Sequence, residues 1–182
     1  AKATGDVILQ RLAASPARDM PFPDTDLGQQ LRTAARLLEA GVDVATLKVV
    51  QDGYDTHEGQ PGAHAYLLET LSEAINAFAA AMQQIGLWDQ VTVVTYSEFG
   101  RTARENASGG TDHGTAAPLF ITGGGVAGGM TGRAPSLTAL VDNEMVHTTD
   151  YRTVYAALLR DLWGIDAPIF ATDDPALSIL RG

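Results

Sequence analysis

The stretch Val91-Thr-Val-Val-Thr-Tyr-Ser-Glu-Phe-Gly-Arg101 sets the reading of the chain, because five β-branched residues and a tyrosine give way at once to a polar turn. Such a run reads as a buried strand over residues 91–96 with polar groups beyond its carboxyl end. Upstream, Leu67, Leu71, Ile75, Phe78, Met82 and Ile85 recur at spacings of three and four and Gly86 follows, which predicts a long helix. Before that helix, residues 45–50 are short, rich in β-branched side chains and followed by Asp52 and Gly53, and they read as a second buried strand. Strand, helix, strand in that order predicts a right-handed parallel crossover. Downstream, residues 116–122 read as a third strand, reached through a polar, glycine-rich loop from Gly100 to Gly114. A connection without a helix favours an antiparallel third strand. The chain is therefore expected to be α/β, with a mostly parallel sheet and at least one antiparallel strand.

Two more helices flank this unit. Leu27, Leu31, Ala34, Ala35 and Leu38 form an apolar stripe, with Asp26 and Gln29 as a capping-box entry and Gly41 as the stop. Thr149 is expected to cap a last helix that turns Tyr151, Val154, Tyr155, Leu158, Leu159, Leu162 and Trp163 inward and ends at Gly164. A weaker pattern through Val7, Ile8, Leu9 and Leu12 is ended by Pro16, and residues 19–24, with two prolines, read as a linker. Residues 1–20 are thus expected to be an amino-terminal segment or linker before a domain over 21–182.

Composition bounds what such a domain can do. The 182 residues carry 12 Lys+Arg against 22 Asp+Glu, a net charge of -10, and 45% are hydrophobic. That is enough apolar material for a core and too much for a disordered chain. No apolar run approaches the ~18 residues that span a bilayer, so no membrane span is expected. The acidic balance and the lack of basic clusters argue against a nucleic-acid partner, which needs Lys and Arg set against phosphates. With no cysteine there is no disulfide, thiolate ligand or thiol nucleophile. Residues 1–6 show neither an initiator methionine nor a charged-then-apolar leader, which suggests a processed product or a piece of something longer.

The polar residues of interest lie where open α/β sheets bind ligands, beyond the strands' carboxyl ends. Asp55 and His57 follow the first strand, Glu98 and Arg101 follow the second, and Asp112 and His113 sit at the amino end of the antiparallel third. Carboxylate and imidazole are what a divalent cation takes when thiolate is absent, and Asp55 and His57, two apart on an extended backbone, face the same way. The plainer alternative is that these groups are turn formers and that the carboxylates neutralise Arg101 and Arg104.

Other motifs carry less. Gly123 to Gly128 fits Gly-x-Gly-x-x-Gly, but Gly129, Gly132 and Pro135 cannot open the helix that would hold a pyrophosphate, so dinucleotide binding is rejected. His57-Glu58 lacks the second histidine of a zincin helix, and Ser97 and Ser108 lack a nucleophile elbow. His64 and His147 read as surface or capping histidines, and Tyr54, Trp88 and Trp163 as packing residues.

Taken in succession, Gly-Tyr-Asp55-Thr-His57, Tyr-Ser97-Glu98-Phe-Gly-Arg101-Thr with Glu105-Asn106, Gly110-Thr-Asp112-His113-Gly114 and Thr149-Asp150-Tyr-Arg152 resemble the bacterial exported proteins called domain of unknown function 1501. The resemblance runs from about Pro21 to Ile165. It implies the alkaline phosphatase superfamily, which includes sulfatases and cofactor-independent phosphoglycerate mutases, and part of an alkaline-phosphatase-like three-layer αβα sandwich. By that resemblance Asp55, His57, Glu98, Asp112 and His113 are metal ligands, with Asp112 as ligand or orienter and Arg101 as an anion clamp. Zinc is the first expectation for the metal, with calcium, magnesium or manganese as alternatives. The implied substrate is a small phosphate or sulfate ester, and the implied location is periplasmic or secreted. Two departures stand out. Phe99 takes the place of an expected histidine after the acidic residue, and no Ser or Thr matches the family nucleophile. The alternative is a non-catalytic exported module that keeps the fold, with or without a structural metal.

Overall fold

The computed structural model describes residues 2–16 and 18–181, so expectations that touch Ala1, Ala17 and Gly182 lie outside the described residues. The chain divides into two compact units, Ala1–Trp88 and Asp89–Gly182.

The first unit is helical: α1 is Lys2–Ala14, α2 is Asp26–Glu39 and α3 is Gln60–Gln84. The apolar spacing builds its core, since α2 buries Leu27, Leu31, Ala34 and Ala35 and α3 buries Leu67, Ala74, Phe78, Ala81 and Met82. The helix start differs by one residue from the expected capping box: Thr25 is the cap, and its hydroxyl accepts from the Gly28 N–H at 3.1 Å. The expected linker is also tied down. Met20 is buried, and the Arg18 Nε lies 2.9 Å from a carboxylate oxygen of buried Glu39, whose other oxygen is 3.7 Å from the Arg36 Nε.

Residues 45–50 depart from expectation. They carry no ladder, and Leu47 and Val50 are exposed rather than buried. The reason is visible at Val50, whose N–H and C=O are both taken by the side-chain amide of Gln30 at 2.9 and 2.8 Å. A glutamine on α2 stands where a neighbouring strand would bond, and backbone groups so satisfied need no ladder at that residue.

The second unit begins with β1, Thr92–Val94, paired antiparallel with β4, Ile121–Gly123, in the register Thr92↔Gly123 and Val94↔Ile121. The pair is extended by Thr95, whose N–H donates to the Phe120 carbonyl and whose hydroxyl accepts from the Phe120 N–H, both at 2.9 Å. Strand β2, Gly100–Glu105, pairs antiparallel with β3, Thr111–Gly114, where a loop was expected. A short hairpin of β5, Leu140–Val141, and β6, Glu144–Met145, turns through Asp142 and Asn143, both at positive φ (52° and 67°). Asp and Asn tolerate that geometry, which is what a two-residue hairpin turn requires. Every ladder among the described residues is a two-stranded antiparallel pair.

Helix α4, Tyr151–Trp163, closes this unit and buries Thr153, Val154, Ala157 and Leu158. Tyr151 and Trp163, at the ends of the expected stripe, are exposed instead. The carboxyl-terminal tail completes the core: Ile179 is 6% exposed and packs with Val154, Ala157 and Leu158. The tail is held by an antiparallel bridge between Val126 and Leu180, and by bonds from the Ala127 N–H to the Ile179 carbonyl (2.8 Å) and from the Arg181 N–H to the Gly125 carbonyl (2.9 Å). Within the glycine run, a Cβ on Gly124 would stand 2.7 Å from the Asp89 Cα, so only glycine lets the run approach Asp89. Among the described residues, no helix is long and apolar enough to cross a membrane.

The cap of α4 is Asp150 rather than Thr149. Its carboxylate accepts from the Arg152 N–H at 2.8 Å and takes the Arg152 guanidinium at 2.6–3.1 Å. The side-chain bond to Arg152, followed by its backbone N–H, lowers the carboxyl pKa from 3.8 to about 2. A depressed folded-state pKa contributes stability above the unfolded value that is lost as pH falls through the folded one. The stability of this unit is therefore expected to decline between about pH 4 and pH 2 in part through Asp150. In Asp150→Asn that part of the slope should vanish, which acid titration of helicity measures.

Candidate metal-ligating residues

In the first unit the candidates sit on the segment between α2 and α3, and its inward residues explain their placement. Tyr54 and Thr56 face in: the Tyr54 hydroxyl donates to Gln51 Oε1 at 3.2 Å, and Gln51 Nε2 donates to the Leu67 carbonyl at 3.0 Å. Thr56 is buried, and its hydroxyl accepts from Gln60 Nε2 at 2.9 Å. Burial also pushes the Tyr54 phenol pKa up. With 54 and 56 anchored inward, period-two alternation sends Asp55 and His57 outward together. Their side chains are 61% and 48% exposed, and Asp55 Oδ1 lies 3.0 Å from His57 Nε2. His64 is not part of this pair; it lies edge-on to Tyr54, with ring centroids 5.9 Å apart.

In the second unit the candidates gather on β2 and β3. A turn closed by the Ser97 hydroxyl donating to the Phe99 carbonyl (2.7 Å) presents Glu98 to solvent. Gly100 then starts β2, where a Cβ would fall 2.0 Å from the Ala116 carbonyl oxygen. Arg101 is paired across the ladder with His113, and its guanidinium donates to the Thr111 carbonyl at 2.6 Å. Phe99 lies flat against the His113 imidazole, centroids 4.0 Å apart and planes within 5°, and the Arg101 guanidinium carbon is 5.0 Å from the Phe99 ring centre. Phe99, Arg101 and His113 thus share one face of the hairpin. Neighbours along a strand leave on opposite faces, so Asp112 points away from His113. That separates two residues expected to act side by side and leaves Asp112 the weaker candidate ligand.

Sequence reasoning missed the hairpin and the stacking of Phe99 on His113, although Phe99 itself stood out as a departure. The signal was present in Asn106, whose Oδ1 accepts from the N–H groups of Ser108 (2.9 Å) and Gly110 (3.1 Å), a local turn that asparagine and glycine favour.

The motifs and the elements that carry them place the protein among chains of one described family. Residues 9–165 match the family described as Protein of unknown function (DUF1501), and the chain belongs to it. No curated protein and no solved structure matches the chain.

Proposed function

We propose that the protein is a metal-dependent, hydrolase-like member of the alkaline phosphatase superfamily, exported from the cell, with an α/β three-layer fold and small phosphate or sulfate esters as substrates. The proposed ligands are Asp55 and His57 in the first unit and Glu98 and His113 in the second, with Asp112 as ligand or orienter and zinc as the first metal to test.

The observation that carries this reading is the Asp55–His57 pair. Two ligand atoms at zinc distances of about 2.0–2.2 Å in tetrahedral geometry stand roughly 3.4 Å apart. The 3.0 Å between Asp55 Oδ1 and His57 Nε2 needs only a few tenths of an ångström to reach that value. A divalent cation bound there would polarise an ester oxygen and favour an ionised nucleophile. Arg101, held by the Thr111 carbonyl, presents a fixed positive charge suited to an anionic ester.

A second reading, a non-catalytic module with at most a structural metal, is favoured by Phe99, which fills with an apolar ring a position where a further ligand was expected. One experiment separates the two. Protein stripped with EDTA and reloaded with zinc is expected to take up stoichiometric metal and to melt at a higher temperature, since a ligand at 100 times its Kd adds about 2.7 kcal/mol to the native state. It is also expected to hydrolyse aryl phosphate or aryl sulfate, with turnover lost in Glu98→Ala. Uptake without turnover selects the non-catalytic module with a structural metal; no uptake overturns the metal-dependent hydrolase.

A further inference from the structure

We infer that Phe99 is a positioning residue for His113, fixing the plane of its imidazole so that the ring nitrogens are aimed before any ligand arrives. The inference rests on the metal-centre reading above but on a different observation, the stack within the β2–β3 hairpin.

A histidine on an exposed strand can ordinarily rotate about χ2, and each rotation swings its nitrogens through space. Here one face of the ring is covered by Phe99 at 4.0 Å with the planes 5° apart. A parallel stack covers a face of the ring and not its edge, where both nitrogens lie, while preventing the ring from turning out of the plane. Phe99 is in turn flanked by Arg101, whose guanidinium carbon lies 5.0 Å from the ring centre and whose Nη1 is tied to the Thr111 carbonyl at 2.6 Å. The register supports this geometry, since Arg101 sits opposite His113 and its guanidinium lies over the Phe99 ring. Histidine ligands are usually oriented through a hydrogen bond at their second nitrogen; the Phe99 face adds a separate constraint on the plane of the His113 ring.

The test compares Phe99→Leu, which keeps apolar volume but loses the flat face, with Phe99→Tyr, which keeps the face. In metal-free protein, the His113 ring protons should show an upfield ring-current shift by NMR in wild type and Phe99→Tyr and lose it in Phe99→Leu. Zinc affinity should fall about 10–100-fold in Phe99→Leu, the usual size of effect for a residue that orients a ligand, and remain near wild type in Phe99→Tyr. With Co2+ in place of zinc, the visible absorption bands should change only in Phe99→Leu. Equal affinity and equal Co2+ spectra in all three proteins would overturn the positioning role while leaving the metal centre in place. Absence of metal binding in wild type would overturn the metal centre itself, and the positioning role with it.

Discussion

The double variant His57→Ala/His113→Ala is expected to retain no zinc after dialysis under conditions that leave wild type fully loaded. Structural zinc sites bind with roughly 10–16 kcal/mol shared over four ligands, so each ligand accounts for ~3 kcal/mol, about two orders of magnitude in affinity. Each histidine removed thus costs about two orders, and the loss of both takes binding past what dialysis tolerates. Each single variant should stand between, which metal analysis combined with competition against a chelator resolves. Loss of fold does not explain such an outcome. Both histidines are exposed, the Asp55–His57 pair lies at the surface, and the stack of His113 on Phe99 is worth about 0.5–1.5 kcal/mol. Urea melts of the metal-free proteins should therefore nearly coincide. Stoichiometric zinc surviving both substitutions would rule out these residues as ligands.

The largest expected effect on stability comes from Met82→Ala. Met82 is fully buried, at 0% exposure, on the buried face of α3. Truncation loses the transfer free energy of the removed atoms and leaves a cavity that rigid helices cannot close, about 2–5 kcal/mol for a buried methionine. Met82→Leu conserves volume and shape closely enough to cost less than about 1.5 kcal/mol. Trp88 lies in the first unit and Trp163 in the second, so fluorescence-monitored urea unfolding in Trp163→Phe and Trp88→Phe backgrounds would locate the loss. It should appear on the Trp88 signal. A Met82→Ala variant as stable as wild type would mean that the α2–α3 packing does not hold this unit together.

The helices were legible because their signal is repeated. Leu27, Leu31, Ala34 and Ala35, or Leu67, Phe78 and Met82, mark a face several times over, so the stripe survives an error at either end. The ends were less legible: Thr25 precedes Asp26 and Thr149 precedes Asp150, all four are good cap formers, and spacing alone does not choose between neighbours. Strands were read in part: residues 91–96 and 116–122 contain β1 and most of β4, antiparallel as expected, and the misses have a different reason. Residues 45–50 have the composition of a buried strand, but Gln30, twenty residues before Val50, supplies the bonds a ladder would have made. In β2 the order Gly-Arg-Thr-Ala-Arg-Glu has no apolar alternation, because that hairpin is held by backbone bonds and the Asn106 turn rather than by a buried face. At the candidate site, Asp55 and His57 could be paired from sequence because a spacing of two has one geometric meaning on an extended chain. The stack of Phe99 on His113 depends on which residues of β2 and β3 stand opposite each other, and register across a loop is not written in either strand alone.

The tail at Ile179 and Leu180 bears on where this domain ends. The family match stops at residue 165, yet the side chain of Ile179 and the bridge from Val126 to Leu180 lie beyond it and complete the packing of α4. The boundary of shared sequence and the boundary of the folding unit are therefore different places. A chain trimmed to the shared part would expose the inner face of α4 and the backbone of the glycine run, and the short peptide cut away would be its natural complement.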